Sequence, residues 1–343
     1  MTRRTLIVAA VCLMTGGTAS VGAQELQITS RPVVVAWAGE AYDYQVKAPG
    51  AEAIRYELIK APAGMTVDAA GRVAWKPGNN DCYYQSVMVQ ASSGEAKARQ
   101  EFEIFVGGVP EDVAQAMRTV NQKFKGADHS LASFGDSISV SFAWVLDTTW
   151  QRNTRNGPWG NGSGIVYIPH GPEHGSTGGW TTRDLLGTLD GKFTPSVIDH
   201  ALATDRPEVA TLMLGTNDIV RIPVAEYLRN METIVDKMLA RNCVPILVVP
   251  SRFTWKGFDV RQYFSGLREL SRRKKLVLID FDLLTQNEPD PAMLFSDGVH
   301  PANHSADPYP WTDRTAGYNI INDAIYRTYA AMIKENVIEG PPR

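Results

Sequence analysis

The chain has 343 residues, 34 basic and 37 acidic, for a formal charge of −3, and 44% of its residues are hydrophobic. That near-balance implies no polyanionic partner and hence no nucleic acid, and the length exceeds one typical domain, so two cores are expected. Of three cysteines, Cys82 and Cys243 fall in different predicted domains and are expected to be isolated buried thiols; no residue set has zinc-ligand spacing.

Arg3 and Arg4 precede an apolar run from Leu6 to Met14, and Val21-Gly22-Ala23 has the small-residue spacing of a signal-peptidase site. Residues 1–23 are therefore expected to be a cleaved leader, the chain to start at Gln24, and the protein to be secreted or periplasmic. Loss of Arg3 and Arg4 would leave the chain two charges more negative. The run is too short to span a bilayer, and no later stretch is long and apolar enough to do so. Cys12 lacks the small residue expected just before a lipid-modified cysteine.

From Leu26 to Val106 short β-branched and aromatic segments follow one another: Pro32 to Trp37, Tyr42 to Val46, Ile54 to Leu58, Arg72 to Trp75, Ser86 to Val89 and Phe102 to Val106. Turn signals at Gly39-Glu40, Pro49-Gly50, Ala70-Gly71 and Gly78 to Asp81 separate them. The spacing predicts a small antiparallel β-sandwich over residues 24–107. The run Ala61 to Asp68, followed by Gly71 to Pro77, resembles the Ig-like or cadherin-like modules appended to bacterial surface and secreted enzymes. Such a module could bind glycan or serve as a rigid spacer, and no residue in it is equipped for chemistry.

Gly107-Gly108-Val109-Pro110 breaks the β pattern, and Glu111 to Lys125 reads as a polar connecting helix within a linker over 108–127. From 128 to 343 strands alternate with helices. Leu131 to Phe134, Val209 to Leu214, Val244 to Val249 and Leu276 to Phe281 are apolar runs of the kind buried on both faces of a parallel sheet. Leu228, Met231, Ile234, Val235, Met238 and Leu239 recur at helical spacing behind Pro223; further helices are expected over Arg261 to Arg273 and Tyr318 to Ile333. This predicts an α/β domain with a doubly wound, mainly parallel sheet.

Three motifs sit where an open α/β sheet gathers an active site. Ser137, in Phe134-Gly135-Asp136-Ser137, lies at a strand-to-helix turn, where its own N–H could bind an oxyanion; read alone, the motif reads more readily as a helix cap. Asn217, in Gly215-Thr216-Asn217-Asp218, could donate side-chain N–H bonds to an oxyanion or simply make a turn. In Asp297-Gly298-Val299-His300, a carboxylate three residues before an imidazole could accept from one ring nitrogen while the other faces a nucleophile. Each is weak alone, but three coincident caps in this order are a poor explanation.

Together these motifs resemble those of the SGNH/GDSL hydrolase superfamily, over about Leu131 to Ile333. Its first motif matches Gly135-Asp136-Ser137, its third Gly215-x-Asn217-Asp218 and its last Asp297-x-x-His300. Its glycine motif is matched by Gly179, with Gly178 adjacent. The resemblance implies a flavodoxin-like doubly wound sheet and a serine esterase with Ser137 as nucleophile, His300 as base and Asp297 as its orienting carboxylate. The oxyanion hole would comprise Ser137, Gly179 and Asn217, with neither cofactor nor metal. Gly-x-Ser-x-Gly is absent, because Ser139 stands where the second glycine would be, so the nucleophile-elbow hydrolases are disfavoured.

The expected substrate is a small-molecule or polysaccharide ester, with removal of acetyl groups from carbohydrate the leading reading. An acyltransferase on a glycan, a lipase or thioesterase, and an inactive glycan-binding protein are the alternatives. His129 and His200 have no partner pattern and are expected to be structural. His170 and His174 lie in a stretch from Arg152 to Trp180 with Trp159, Tyr167 and Trp180, which reads either as a substrate-contacting loop or as an insertion packed on its own aromatics. The segment from Ala302 to Thr315, with His304, could wall the site.

Overall fold

The computed structural model describes residues 26–50, 53–145, 166–252, 257–290, 295, 297–302 and 317–340. The expected leader, Cys12, Trp159 and His304 lie outside them.

Seven strands form the N-terminal part: β1 (Val35–Trp37), β2 (Tyr42–Gln45), β3 (Arg55–Lys60), β4 (Thr66–Val67), β5 (Arg72–Trp75), β6 (Tyr83–Ser93) and β7 (Ala96–Gly107). They pair as one sheet in the order β1-β7-β6-β3 and another in the order β2-β5-β4. Alternation dictates which side chains meet: Tyr42, Tyr44, Val73 and Trp75 from one sheet are buried with Val87, Val89, Phe102, Ile104 and Val106 from the other. The expected purely antiparallel sandwich needs one correction, because β1 runs parallel to β7. A parallel partner about seventy residues away leaves no local turn signal to read.

The glycine-proline break leads into α1 (Glu111–Asn121). It is more than the polar connector expected, since Val113, Ala114 and Met117 are buried in the core of the following domain. Five parallel strands come next, β8 (Ala127–Gly135), β9 (Val166–Tyr167), β10 (Pro207–Met213), β11 (Val244–Val249) and β12 (Val277–Asp280), in the spatial order β12-β11-β10-β8-β9. Read from β9, this is the 2-1-3-4-5 order of a flavodoxin-like sheet, as expected. The intervening helices are α2 (Ser137–Val145), α3 (Thr182–Leu186), α4 (Val197–Thr204), α5 (Asp218–Arg221), α6 (Val224–Ala240), α7 (Arg261–Lys274), α8 (Phe281–Gln286) and α9 (Gly317–Lys334). Helices α3, α4, α6 and α7 pack among themselves, α9 packs on α2 and α8, and members of both groups contact β11. Strands covered on both faces are mainly apolar, and β10, β11 and β12 are buried at every position, with Glu208, Thr211 and Asp280 as their polar exceptions.

The outer edge of β12 is covered by the sandwich. The Tyr83 hydroxyl donates to the Leu276 carbonyl at 3.0 Å and accepts from the Leu278 N–H at 3.1 Å, so it satisfies two edge groups that no strand pairs. Tyr84 donates to Asp280 at 2.6 Å, and Arg268 donates to the same carboxylate at 2.7 Å. Asp280 is fully buried, so at least one such partner is needed to offset the burial of its charge. Phe105 joins the α/β core while its neighbours Ile104 and Val106 join the sandwich core.

Among the described residues no helix is long and apolar enough to cross a membrane. Both Cys82, part-buried, and Cys243, buried, are free.

Candidate active site

The strand order reverses between β8 and β10, and the crevice beyond their carboxyl ends is where such sheets bind ligands. β8 ends at Gly135, a position that admits no side chain: a Cβ there would lie 2.1 Å from Ser139 Oγ and 2.2 Å from the Met213 carbonyl. The close approach turns the chain sharply into α2. Asp136 accepts from the Ile138 N–H at 3.0 Å and so caps α2. The capping reading of this motif thus belongs to Asp136, and Ser137 is left for another partner.

That partner is His300. Ser137 Oγ lies 2.8 Å from His300 Nε2, and His300 Nδ1 lies 2.8 Å from Asp297 Oδ2. The other Asp297 oxygen accepts from the Val299 and His300 N–H groups at 2.8 and 2.7 Å. These three bonds, led by the one from the imidazole, hold the Asp297 carboxyl down at about 2. The His300 side chain is 40% exposed and that of Asp297 56%, so the relay opens to solvent.

Beyond β10, the Tyr227 hydroxyl donates to the Leu214 carbonyl at 2.8 Å, and a Cβ on Gly215 would meet both that hydroxyl and Pro250 at 3.0 Å. The chain is thereby held close as it turns toward Asn217. Asn217 Nδ2 donates to the Trp180 carbonyl at 3.0 Å. A carbonyl can only accept, so the amide orientation is fixed and one N–H remains on the same nitrogen. Gly178 and Gly179 are both exposed. A Cβ on Gly178 would lie 3.8 Å from that of Ser137, which brings this turn against the serine. Gly179 has φ +79°, a conformation that favours glycine.

Residues 133–304, half of the chain, match the sequence pattern of the GDSL-like Lipase/Acylhydrolase family. The chain belongs to this family. It is an ester hydrolase. No curated protein sequence matches the chain. Similar solved structures include an acetylxylan esterase from Geobacillus stearothermophilus, 18% identical, covering 59% of this chain and 94% of its own, with a TM-score of 0.41. A lipase/acylhydrolase from Enterococcus faecalis is 19% identical over 62% and 99% of the two chains, TM-score 0.44. A psychrotrophic esterase from a Pseudoalteromonas species is 20% identical over 60% and 100%, TM-score 0.40.

In this acylhydrolase the serine and asparagine motifs each carry a buried acid. Asp136 and Asp218 are both fully buried. Burial pushes Asp136 up to about 7 and Asp218 up to about 6, against hydrogen bonds that pull each down. Asp218 Oδ1 accepts from both the N–H and the hydroxyl of Thr182, at 2.9 and 2.7 Å. Arg221 donates to the Gly179 carbonyl at 3.0 Å, and Asn230 to the Thr182 hydroxyl at 3.0 Å. None of these ties was anticipated; the only local signal was an Asn-Asp pair that also reads as turn chemistry.

The described part of the aromatic stretch is packed rather than presented. Trp180 is 6% exposed in the α/β core, and Tyr167 packs against that core. His174 pairs with Asp205 at 2.9 Å, and His170 is exposed. His200 packs against Phe193 with ring centroids 4.8 Å apart and planes tilted by 48°. The His129 N–H donates to Glu208 at 2.7 Å. Among the described residues no three His, Cys, Asp or Glu side chains could together hold a metal ion.

Proposed function

We propose that this chain is an exported serine esterase that removes acetyl or other small acyl groups from carbohydrate through an acyl-enzyme. The observation that carries the mechanism is the continuous contact from Ser137 Oγ through His300 to Asp297, with both bonds at 2.8 Å. A serine hydroxyl is a weak nucleophile at neutral pH. As Oγ attacks the ester carbonyl carbon, His300 Nε2 takes its proton and Asp297 stabilises the resulting imidazolium. The tetrahedral oxyanion would be held by the N–H groups of Ser137 and Gly179 and by the remaining Asn217 N–H, each contributing about 3 kcal/mol in comparable sites. His300 then returns the proton to the departing alcohol oxygen, leaving an acyl ester on Ser137. Water, deprotonated by the same imidazole, attacks that ester and releases the acid.

The open relay and exposed Gly178-Gly179 turn suit a small acyl group on a bulky alcohol such as a sugar chain. In this reading residues 24–107 form the appended sandwich, 108–127 the linker and 128–343 the catalytic domain. The test measures acetate released from a panel of acetylated polysaccharides by wild type and Ser137→Ala. The variant is expected to fold normally and lose nearly all turnover; undiminished release would remove Ser137 from the mechanism. An esterase of this kind releases acetate without needing an acceptor sugar, and prefers acetyl to palmitoyl esters.

A further inference from the structure

The glycine turn and the Asn217 turn come from segments almost forty residues apart, yet both must present N–H groups to one oxygen. Nothing in either segment alone fixes their relative position. Three residues of one turn each grip a residue of the other: Asn217 takes the Trp180 carbonyl at 3.0 Å, Arg221 takes the Gly179 carbonyl at 3.0 Å, and Asp218 takes both donors of Thr182. The first grip uses an oxyanion donor itself. The second comes from an exposed side chain whose bond water can replace. Only the third is fully buried at both ends, because Asp218 and Thr182 are each completely inaccessible.

We infer that Asp218 is the positioning residue of the oxyanion hole, a buried carboxylate that clasps Thr182 and thereby sets the Gly179 N–H against the Asn217 amide. The inference rests on Ser137 being the nucleophile and extends that reading. Several features favour a clasp over an ordinary turn bond. One oxygen, Oδ1, receives both Thr182 donors, so position and orientation of the Thr182 backbone are fixed together. Asn230, from α6, donates to the same Thr182 hydroxyl at 3.0 Å, locking the hydroxyl proton toward Asp218. Thr182 is the first residue of α3, and Thr181 is separately anchored by N–H and hydroxyl bonds to Asp184, both 2.7 Å. The glycine turn is thus held at its downstream end by buried bonds, while its exposed glycines carry no side chain that could hold it. Misplacement of a donor by a fraction of an ångström weakens an oxyanion bond while leaving ground-state substrate binding almost untouched.

The second Asp218 oxygen is buried and has no hydrogen-bond partner. Asp218→Asn can therefore keep both Thr182 bonds through its carbonyl oxygen and place its NH2 at the unpaired side. Asp218→Ala abolishes the clasp. The experiment uses the full chain, an aryl acetate, and a boronic acid that forms a tetrahedral adduct on serine, with active sites counted by a fluorophosphonate. Ser137→Ala runs beside it, so that clasp variants are read only against turnover that depends on Ser137; if wild type and Ser137→Ala hydrolyse alike, the nucleophile assignment has failed, not the clasp.

Per active site, Asp218→Ala is expected to lower kcat about 100-fold with KM changed less than threefold, and to raise the boronic acid inhibition constant in parallel. Asp218→Asn is expected to recover at least a third of kcat. Thr182→Val, which loses the hydroxyl but keeps the N–H, is expected to lower kcat about tenfold, and supplies the readout if the alanine variant does not fold. The clasp is overturned if kcat per titrated site stays within threefold of wild type in Asp218→Ala or Thr182→Val. It is equally overturned if boronic acid affinity is unchanged, or if Asp218→Asn is as impaired as Asp218→Ala.

Discussion

Replacing Asp136 with asparagine tests the buried carboxyl next to the proposed nucleophile. Asp136 is inaccessible to solvent, and burial raises its carboxyl from 3.8 to about 7, although the Ile138 N–H and the Thr216 hydroxyl both pull it down. Between these two values the folded chain keeps a proton that the unfolded chain has released. The folded state binds more protons there, so stability falls as pH rises. The contribution is complete below the unfolded value near 4 and is lost as pH climbs through 7. Each pH unit across the interval is worth 1.36 kcal/mol, so from pH 5 to pH 8 wild type should lose about 2–3 kcal/mol through this one group. Asp136→Asn keeps an oxygen for the Ile138 N–H and has no proton to lose. Urea unfolding of both proteins at pH 5, 6, 7 and 8 gives a difference curve in which groups that do not interact with Asp136 cancel, while the repulsion between Asp136 and Asp218 acts in the same direction as the Asp136 shift. The difference should move by about 2–3 kcal/mol in favour of the variant across that range. Parallel stability curves for the two proteins would refute the argument that Asp136 is held protonated by burial.

Two further substitutions follow from the geometry. Asp297→Asn should leave the fold intact and lower kcat by about 10³–10⁴-fold, measured on an aryl acetate. The Val299 and His300 N–H groups require an acceptor, so the amide oxygen stays with them and the NH2 faces His300 Nδ1, forcing the proton onto Nε2. A loss of less than tenfold would mean that Asp297 does not set the tautomer. Tyr83→Phe removes a hydroxyl that serves both Leu276 and Leu278 on the edge of β12, and should cost about 2 kcal/mol in urea unfolding. A change below about 0.5 kcal/mol would mean that water satisfies that edge and the sandwich does not.

Fold class was readable where burial imposes one character on a whole segment. Val244 to Val249 is apolar because both faces of β11 are covered, and the predicted strand matches the observed one at both ends. β7 runs well beyond the predicted Phe102 to Val106, since its first half faces solvent and carries Lys97, Arg99 and Glu101, and β6 runs beyond Ser86 to Val89 through part-buried and buried polar positions such as Gln85 and Gln90. β9 has two residues, too few for any period. α4 was legible but unread: Ser196 accepts from the Asp199 N–H, and Val197, Ile198, Ala201 and Leu202 are its buried stripe. The sequence left Trp180 open for a different reason, because a large aromatic beside two glycines suits a sugar face and a core equally well until the packing is known.

The site divides along the same line. Ser137, Asn217, Asp297 and His300, the proposed reacting groups, are recognisable because acyl transfer demands particular side chains, the first two of them just beyond the ends of β8 and β10, and these short motifs are written locally. What holds them is not local. Thr182 and Asp218 are separated by 36 positions, and Tyr84 and Asp280 by 196, so neither pair has a spacing that a sequence window could detect. Each of these carboxylates is fully buried, and a buried carboxylate without a donor would cost several kcal/mol. The proposed reacting groups at the crevice are thus chemically conspicuous, with Asp297 and His300 open to solvent, while their alignment depends on inaccessible acids whose partners only the fold supplies. Substitutions that disable the enzyme without touching a reacting atom should therefore concentrate at Asp218 and Thr182, because the other buried bond between the two turns uses the Asn217 amide itself. At β12 the Arg268 bond to Asp280 backs the Tyr84 bond, so loss of that one hydroxyl is absorbed.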